Sequence, residues 1–491
     1  MNLERIIYNE EFSTENDIKN LEIYDISTNV DRITDKTLFV IIRSIKFDVN
    51  KIISYILSKN PAAIVCDYDT IICTEKIPIL KVRDTRRILP YLYSRFYEID
   101  YTKTCFAAIT GTNGKTTTAT MLAHILTYSK KKVGFIGTGK ILSGDRILSG
   151  SKYSMTTPDP DKLYSVIKEM QNDGCDAVVM EVSSHALYFN KVLPIPFCVS
   201  VFTNLSHEHL DFHKNIEAYY QCKKRLFSQT KIGVFNMDDE YSKMCATDFC
   251  GKKITVGIAN SADVTMCDIS LNGLCEAAYV YKENDSFFNV RQTVGGIYNV
   301  YNSAMAITAS RAMGVAASIA TEAISKLKYI EGRLEKIDAD ISVIIDYAHT
   351  EEALKNVLKT LKTILKQGQK LITVFGCGGE RDREKRPKMA KIAETYSDLV
   401  IVTTDNSRNE PVADILSDIL EGFDDTRKRK VITSRNNAIR NAILTATSGD
   451  VVAIIGKGHE RYNIDKNGYH DFDERIIIKE ALSEREKANK R

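Results

Sequence analysis

The chain holds no apolar run near the roughly 18 residues that a bilayer span needs. Its first residues, Met-Asn-Leu-Glu-Arg, form no basic leader ahead of an apolar stretch. Neither membrane insertion nor secretion is therefore expected. The eleven cysteines are scattered and include no C-x-x-C pair. No disulfide framework or structural zinc site is expected from that pattern, and a reducing cytoplasm is the plain inference. Charge of one sign is scarce too: 67 Lys+Arg face 64 Asp+Glu, a formal net charge of +3. With no basic, aromatic-interleaved stretch, a nucleic-acid partner is not expected. No internal repeat or low-complexity segment occurs.

What is present is a soluble, globular composition, 44% hydrophobic and 27% charged over 491 residues. That length exceeds one compact core and calls for two to four domains. Apolar β-branched runs alternate with helical periodicity from about Tyr101 onward. Strands are expected at Cys105–Ile109, Val133–Ile136, Ala177–Val182, Cys198–Phe202 and Lys231–Phe235. A second series runs through Val343–Asp346, Leu371–Phe375, Leu399–Thr403, Lys430–Thr433 and Val451–Ile455. Such alternation implies α/β domains with parallel sheets covered by helices on both faces. The first hundred residues are thinner: strands at Leu38–Ile42 and Ala62–Asp67 with a helix over Val49–Leu57. The expected division is 1–100, 101–333 and 334–491, with a break near Gly332-Arg333.

Gly111-Thr-Asn-Gly-Lys-Thr-Thr117 follows a strand and opens a helix. Glycines let backbone N–H groups approach phosphate, and the helix N-terminus adds its positive dipole end. Lys115 would neutralise phosphate charge and the Thr116 hydroxyl suits Mg²⁺. The general nucleotide motif wants a glycine five before Gly114, where Ile109 stands; Gly111 makes a tighter variant. Glu181 closes the strand beginning at Ala177, at the sheet edge where ligands bind, and a carboxylate there suits a hard cation. Asn204-Leu-Ser-His-Glu-His-Leu-Asp-Phe-His213 gathers imidazoles and carboxylates without H-E-x-x-H or thiols. One histidine on Mg²⁺ beside phosphate fits that segment better than zinc does. Cys377, in a glycine-rich segment, reads as a packed thiol.

Taken in order, these segments resemble the Mur ligase family, most nearly its UDP-N-acetylmuramyl-tripeptide synthetase branch, with a divergent N-terminal uridine-binding domain. The resemblance runs from about Phe106 to Arg475. Its further segments include Thr156-Thr-Pro158, Tyr219–Phe227, Gly295–Asn302, Asp346–Thr350, Phe375–Pro387, Asp405–Glu410 and Gly456–Glu460. It implies three α/β domains: a small N-terminal substrate domain of UDP-sugar type, a central doubly wound ATPase domain, and a Rossmann-like C-terminal amino-acid domain. It also implies an ATP-dependent amide ligase working through an acyl-phosphate, with two Mg²⁺ sites. Thr112, Asn113 and Thr117 would join Gly111, Gly114, Lys115 and Thr116 around the phosphates, with Glu181 on the first metal. His209 and a carbamylated Lys223 would hold the second. Asn299 and Asn302 resemble positions near adenine, and Arg333 and Asp346 those reaching phosphate and ribose. The expected partners are small molecules, and the expected state a monomer.

Diaminopimelate-adding members carry D-N-P-R, and here Asp405-Asn-Ser-Arg408 keeps the arginine and loses the proline. A guanidinium can grip a distal carboxylate that lysine, as a substrate, would lack. Arg381, Asn406, Gly456 and Glu460 match other contacts to that amine, so meso-diaminopimelate is expected. On the acceptor side Thr156, Thr157 and Ser183 are kept. Phe189 and Lys191 stand for the family's Gln and Arg, Asn29-Val-Asp31 for its D-S-R, and Ser44–Val49 for a D-G-H-type segment. The leading expectation is a peptidoglycan ligase acting on UDP-N-acetylmuramoyl-L-alanyl-D-glutamate. Two alternatives stand beside it: a ligase recruited to another acceptor, and a nucleotide-holding regulator without catalysis.

Overall fold

The computed structural model describes residues 1–8, 12–42, 52–148, 155–273 and 275–489. They form two compact units. One comprises Met1–Thr110, Lys130–Ser200 and Gln221–Gly233; the other Gly111–Ser129, Val201–Tyr220 and Val234–Arg491. None of the described helices is long and apolar enough to cross a membrane.

The first unit opens with a parallel sheet in the order β1 (Asp25–Ser27), β2 (Thr37–Val40), β3 (Ala63–Asp67), β4 (Ile79–Val82). Phe39, Ile41, Ile64 and Cys66 pack on Ile56 of the helix Ile53–Ser58. The helix Thr85–Phe96 starts where the Asp84 side chain accepts from the Arg86 and Arg87 N–H groups. Next come β5 (Cys105–Thr110), β6 (Val133–Gly137), β7 (Lys140–Ser143), β8 (Arg146–Ile147), β9 (Ala177–Glu181) and β10 (Phe197–Phe202). Their order is β10-β5-β9-β6-β7-β8. β5, β9 and β6 are parallel and buried throughout but for the first residue of β5, and β7 and β8 turn back antiparallel.

A disulfide joins Cys105 to Cys198, whose Cα atoms are 6.1 Å apart. This corrects the expectation of reduced thiols throughout. The two residues are 93 apart in sequence, and only the pairing of β10 beside β5 makes them neighbours, which no cysteine spacing announces. Cys377 is a packed thiol as expected, its pKa pushed up to about 12 by burial.

The second unit contains β12 (Lys252–Gly257), β13 (Val264–Asn272), β14 (Glu276–Glu283) and β15 (Ser286–Gln292), adjoining β11 (Thr230–Asn236). β13, β14 and β15 form an antiparallel meander, and the helix Ala317–Lys326 packs along β15, the last strand of its sheet. The helix Lys115–Tyr128 buries Ala119, Met121, Leu122, Ile125 and Leu126, the stripe seen in the sequence, and packs on the helix Ile297–Ala312.

A six-stranded sheet follows: β16 (Glu335–Asp338), β17 (Ser342–Asp346), β18 (Leu371–Phe375), β19 (Leu399–Val402), β20 (Arg429–Val431) and β21 (Val451–Ile455). The order is β16-β17-β21-β18-β19-β20, parallel except for β16. Leu354, Leu358, Met389 and Ala393 cover one face and Ile439, Ile443, Ile478 and Ala481 the other. Burial on both faces explains why these strands are uninterrupted apolar runs. A hairpin, β22 (Tyr462–Asp465) and β23 (Gly468–Asp471), comes after β21.

Every expected strand is present, with each end within two residues of the expected one. Val49 and the following two residues of the expected helix, and Ser44–Val49, lie outside the described residues. The expectation carried no strand between 236 and 343, where the meander stands.

Arg386, wholly buried, donates to both Glu410 oxygens at 2.6 and 2.8 Å and to Asp418 at 2.8 Å. Glu410 also accepts from the Glu380 N–H at 2.7 Å, which fastens the loop after β18. Arg386→Ala strands Glu410, while Asp418 keeps Arg383 at 2.9 Å, and should cost about 3–5 kcal/mol in urea unfolding. Lys391→Ala, at a half-exposed ion pair, should cost under about 1 kcal/mol. Arg386 holds the Glu410 carboxyl at about 2, below its ordinary 4.5. A pKa lowered by folding stabilises above 4.5, and that stabilisation fades as pH falls toward 2. Wild-type stability should therefore drop over that interval, and more steeply than that of Arg386→Ala.

Candidate functional site

The loop 111–114 leaves β5 and turns into the helix Lys115–Tyr128. Gly111 has φ +143° and Gly114 φ +84°. A Cβ on Gly111 would lie 1.9 Å from Thr203 Oγ1, and one on Gly114 2.3 Å from Asn302 Oδ1, so neither position has room for a side chain. The segment after β10 clamps the loop. Asn204 Oδ1 accepts from the Asn113 N–H at 2.9 Å and Asn204 O from the Thr112 N–H at 2.8 Å; Thr203 Oγ1 donates to Asn113 O at 2.6 Å. Lys115 Nζ donates to Gly111 O and Thr112 O at 2.9 and 2.8 Å.

A cavity of about 250 Å³ adjoins this loop, lined by Asn113, Gly114, Thr117, Asn299, Asn302, Arg333 and Asp346 together with Asp238, Tyr298 and Tyr301. Seven positions singled out in the sequence thus share one wall. Asn299 and Asn302 are buried on one helix face: Asn302 Nδ2 donates to Asn299 Oδ1 at 2.9 Å, and Thr118 Oγ1 donates to Asn302 Oδ1 at 3.3 Å. Arg333 Nη2 donates to Thr116 Oγ1 at 3.1 Å, and its guanidinium lies 4.7 Å from the Tyr347 ring centre. Asp346 accepts from the Leu334 and Ala348 N–H groups at 2.7 and 2.8 Å; burial pushes its carboxyl up against the opposing pull of Arg333.

Tyr298 Oη and Arg333 Nε are buried there without a hydrogen-bond partner among the described residues. Loose donors, a lysine and a helix N-terminus suit a purine nucleotide's polyanionic tail. No group of three or more His, Cys, Asp or Glu side chains forms a metal cage among the described residues. A Mg²⁺ ion needs none, since it keeps waters and leans on phosphate oxygens. The donor set therefore fits ATP with Mg²⁺.

Thr116 and His209 belong to the second unit, Glu181 and Lys223 to the first. His209 sits at φ +56° ahead of the turn Leu210–His213. Glu181 ends β9 fully buried; its Oε1 accepts from the Thr138 N–H at 2.9 Å and its Oε2 from Thr138 Oγ1 at 3.2 Å. Thr156 bonds Thr138 at 2.9 Å, Thr157 donates to Glu181 O at 2.9 Å, and the Ser183 N–H donates to Thr157 at 3.0 Å. The structure thus brings Thr156, Thr157, Glu181 and Ser183 together. Lys191 pairs with Asp159 at 2.7 Å, and Arg86 stacks 4.8 Å from the Phe189 ring centre. Lys223 is 1% exposed, whereas Lys224 is half-exposed.

A third group lies at the ends of β19 and β21. Asn406 Nδ2 donates to Glu460 Oε2 at 2.9 Å, and Tyr347 Oη to Glu460 Oε1 at 3.5 Å. Arg408, at φ +54°, donates to Gly379 O at 2.8 Å and Asn406 O at 3.2 Å. Burial and the like charge of Arg381 press its pKa down. The Gly456 N–H donates to Asp346 O at 2.9 Å, tying this group to the nucleotide cavity, while Arg381 is exposed.

Sequence reasoning passed over several residues. Asp238 accepts from Tyr301 Oη at 2.6 Å and from the Ile258, Ala259 and Asn260 N–H groups. These bonds outweigh burial and hold its carboxyl at about 2. Tyr301 lies inside the Gly295–Asn302 segment, so half of this pair was in view. Glu208 meets His349 Nε2 at 3.3 Å. Burial opposes its ionisation, but His349, His209 and Lys115 prevail and keep it well below the usual carboxylate range.

A tight glycine loop beside a nucleotide-sized cavity, followed by a second parallel sheet, is the layout of an ATP-dependent ligase of the Mur class. Residues 109–310 match the Mur ligase middle domain and residues 332–458 the Mur ligase glutamate ligase domain. The chain belongs to the Mur ligase family, whose members are ATP-dependent amide ligases. Similar proteins point to one branch of it. The UDP-N-acetylmuramoyl-L-alanyl-D-glutamate–2,6-diaminopimelate ligase of Clostridioides difficile (strain 630) is 39% identical over 476 residues, covering 94% of this chain and 96% of that protein. The ligase of the same name from Caldanaerobacter subterraneus subsp. tengcongensis is 37% identical over 472 residues, covering 95% and 96%. A solved structure of a ligase so named aligns over 99% of both chains with a TM-score of 0.71 and 27% identity.

Gly114→Ala should weaken binding of a fluorescent ATP analogue at least about tenfold, because the added methyl displaces Asn302 and strains the turn. Its melting temperature should change far less than its affinity, and unchanged affinity would remove the loop from the nucleotide site.

Proposed function

We propose that the chain adds meso-diaminopimelate to UDP-N-acetylmuramoyl-L-alanyl-D-glutamate in peptidoglycan synthesis, acting in the cytoplasm as a monomer. The observation that carries this is the group of Asn406, Arg408 and Glu460, directed acceptors and a cation of the kind a second amino-acid head group needs, tied through Gly456 to Asp346. Residues 1–100 would bind the acceptor's nucleotide, 101–333 the ATP, and 334–491 the amine.

A carboxylate is a poor electrophile, and phosphorylation supplies its leaving group. The acceptor's carboxylate oxygen attacks the terminal phosphorus of ATP and ADP departs. The amine nitrogen then attacks the acyl carbon, phosphate departs, and the nitrogen gives up a proton. Little covalent help is required; positioning and charge do most of the work. Lys115 and the N–H groups of 111–117 would hold the phosphates, with Arg333 gripping them from the base of the C-terminal sheet. Asp346 would take the ribose, and Asn299 and Asn302 would support the adenine end. Thr116 and Glu181 would hold one Mg²⁺ ion, and His209 with a carbamylated Lys223 a second. Bound Mg²⁺ neutralises phosphate charge as the phosphoryl group transfers. The burial of Lys223 beside the half-exposed Lys224 supports the choice of lysine. Thr156, Thr157, Ser183 and Lys191 would face the acceptor. Arg408 and Arg381 would take the distal carboxylate of the amine, and Glu460 and Asn406 its ammonium beside Gly456.

One observation favours another acceptor: Phe189 is engaged by Arg86 and Lys191 by Asp159, where the resembled family places Gln and Arg respectively. Supplying ATP, Mg²⁺, the UDP-linked dipeptide and diaminopimelate decides between them. The expected product is the mass sum less water, with equal ADP and phosphate. Healthy turnover on another acid with none on this one would overturn the proposal. Lys115→Ala should lower kcat about 10²–10³-fold, and lysine as the amine should be about 10²-fold poorer in kcat/KM. Carbon-13 bicarbonate should give a carbamate NMR signal in wild type that Lys223→Ala lacks.

A further inference from the structure

Lys457 stands between two residues assigned to the amine, Gly456 and Glu460, yet has no assigned part of its own. Its side chain is 0% exposed, a costly place for an ammonium group unless several partners satisfy it. Nζ donates to Asn406 Oδ1 at 2.9 Å and to Tyr462 O at 2.8 Å. It lies farther from the carboxylates, 3.4 Å from Asp405 Oδ1 and 3.7 Å from Glu460 Oε2. A plain counter-ion would close on a carboxylate; here the shorter contacts are to an amide and a carbonyl.

Those contacts fix the sense of Asn406. Its Oδ1 also accepts from the Ile464 N–H at 2.9 Å, so both lone pairs are used. A flipped amide would set its NH₂ against two donors. Nδ2 must therefore face Glu460 Oε2, the 2.9 Å bond already described. The resulting relay is directional: ammonium to amide oxygen, amide nitrogen to carboxylate.

Charge points the same way. Asp405 and Glu460 are both largely buried carboxylates near Lys457, with side chains 10% and 13% exposed. Arg435 also faces them, but it is committed to Glu474 at 2.7 Å and to Ile455 O at 2.9 Å. Lys457 and Arg435 outweigh burial and keep the Asp405 carboxyl low, while burial and the charge of Asp405 raise that of Glu460. Of the two, Glu460 is thus the less well compensated, even with Arg408 nearby, and an incoming cation there relieves it.

We infer that Lys457 is a positioning residue of the amine site, orienting Asn406 and thereby holding Glu460 to read an ammonium group at the far end of the substrate. The inference rests on the amine site proposed above. Lys457→Met in the full chain tests it, with meso-diaminopimelate compared against 2-aminopimelate, which lacks the distal amine. Wild type should prefer diaminopimelate. In the variant the ratio of the two kcat/KM values should fall at least about tenfold, the worth of one charge-assisted hydrogen bond, while KM for ATP stays within about twofold. If both amines decline in proportion and the ratio persists, Lys457 is only structural and the inference is overturned. Should the single variant fail to fold, Asp405→Asn with Lys457→Met removes one charge of each sign, and a ratio retained there overturns it equally. Wild type that turns over neither amine defeats the amine-site assignment instead.

Discussion

The close approach of two glycines to neighbouring side chains, which leaves no room for a Cβ, is the constraint on which the nucleotide end of this molecule depends. Gly111 comes so close to Thr203, and Gly114 to Asn302, that a single methyl group would part them. That closeness lets Asn204 and Thr203 hold the loop by its own amides and carbonyls. A loop fixed in this way offers its N–H groups to an anion without reorganising first, which is where electrostatic catalysis gains most. Arg333 then joins the helix that leaves this loop to the entrance of the C-terminal sheet.

The amine end solves a different problem. Its charges are buried, and each must be matched or left for a ligand to match. Arg386 with Arg383 neutralises Glu410 and Asp418, and Arg435 pairs with Glu474. Around Glu460 compensation is weaker than around Asp405, and the orientation of a single amide decides how the Glu460 carboxylate is held. If the proposed amine site holds, specificity there follows from hydrogen-bond direction more than from pocket size, since size alone discriminates weakly between chains of similar length.

Much of this was legible in the sequence wherever local chemistry determines structure. The runs at 342–346, 371–375 and 451–455 could only be strands buried on both faces. Glu181 after four apolar residues had to sit at a strand end, and the lysine that the family resemblance selected, Lys223, is the buried one of the pair. What stayed hidden depends on distant pairing. The meander β13–β15 alternates in period two, but nothing local says which sheet it extends. The Cys105–Cys198 bridge needs β10 to lie beside β5. Asp238 becomes a capping acceptor only once Tyr301 and the 258–260 turn fold onto it. Lys457 escaped notice because a lysine between glycines reads as an exposed loop residue, and its burial is set by Asn406 and the hairpin that follows.

The helix along β15 has a bearing on solubility. A last strand carries a row of unpaired backbone donors and acceptors, a ready template for another molecule's strand. Here the helix Ala317–Lys326 lies against that strand, and Arg291 adds a charge within it. Edge-to-edge growth into aggregates is blunted at the very end where the meander would otherwise invite it.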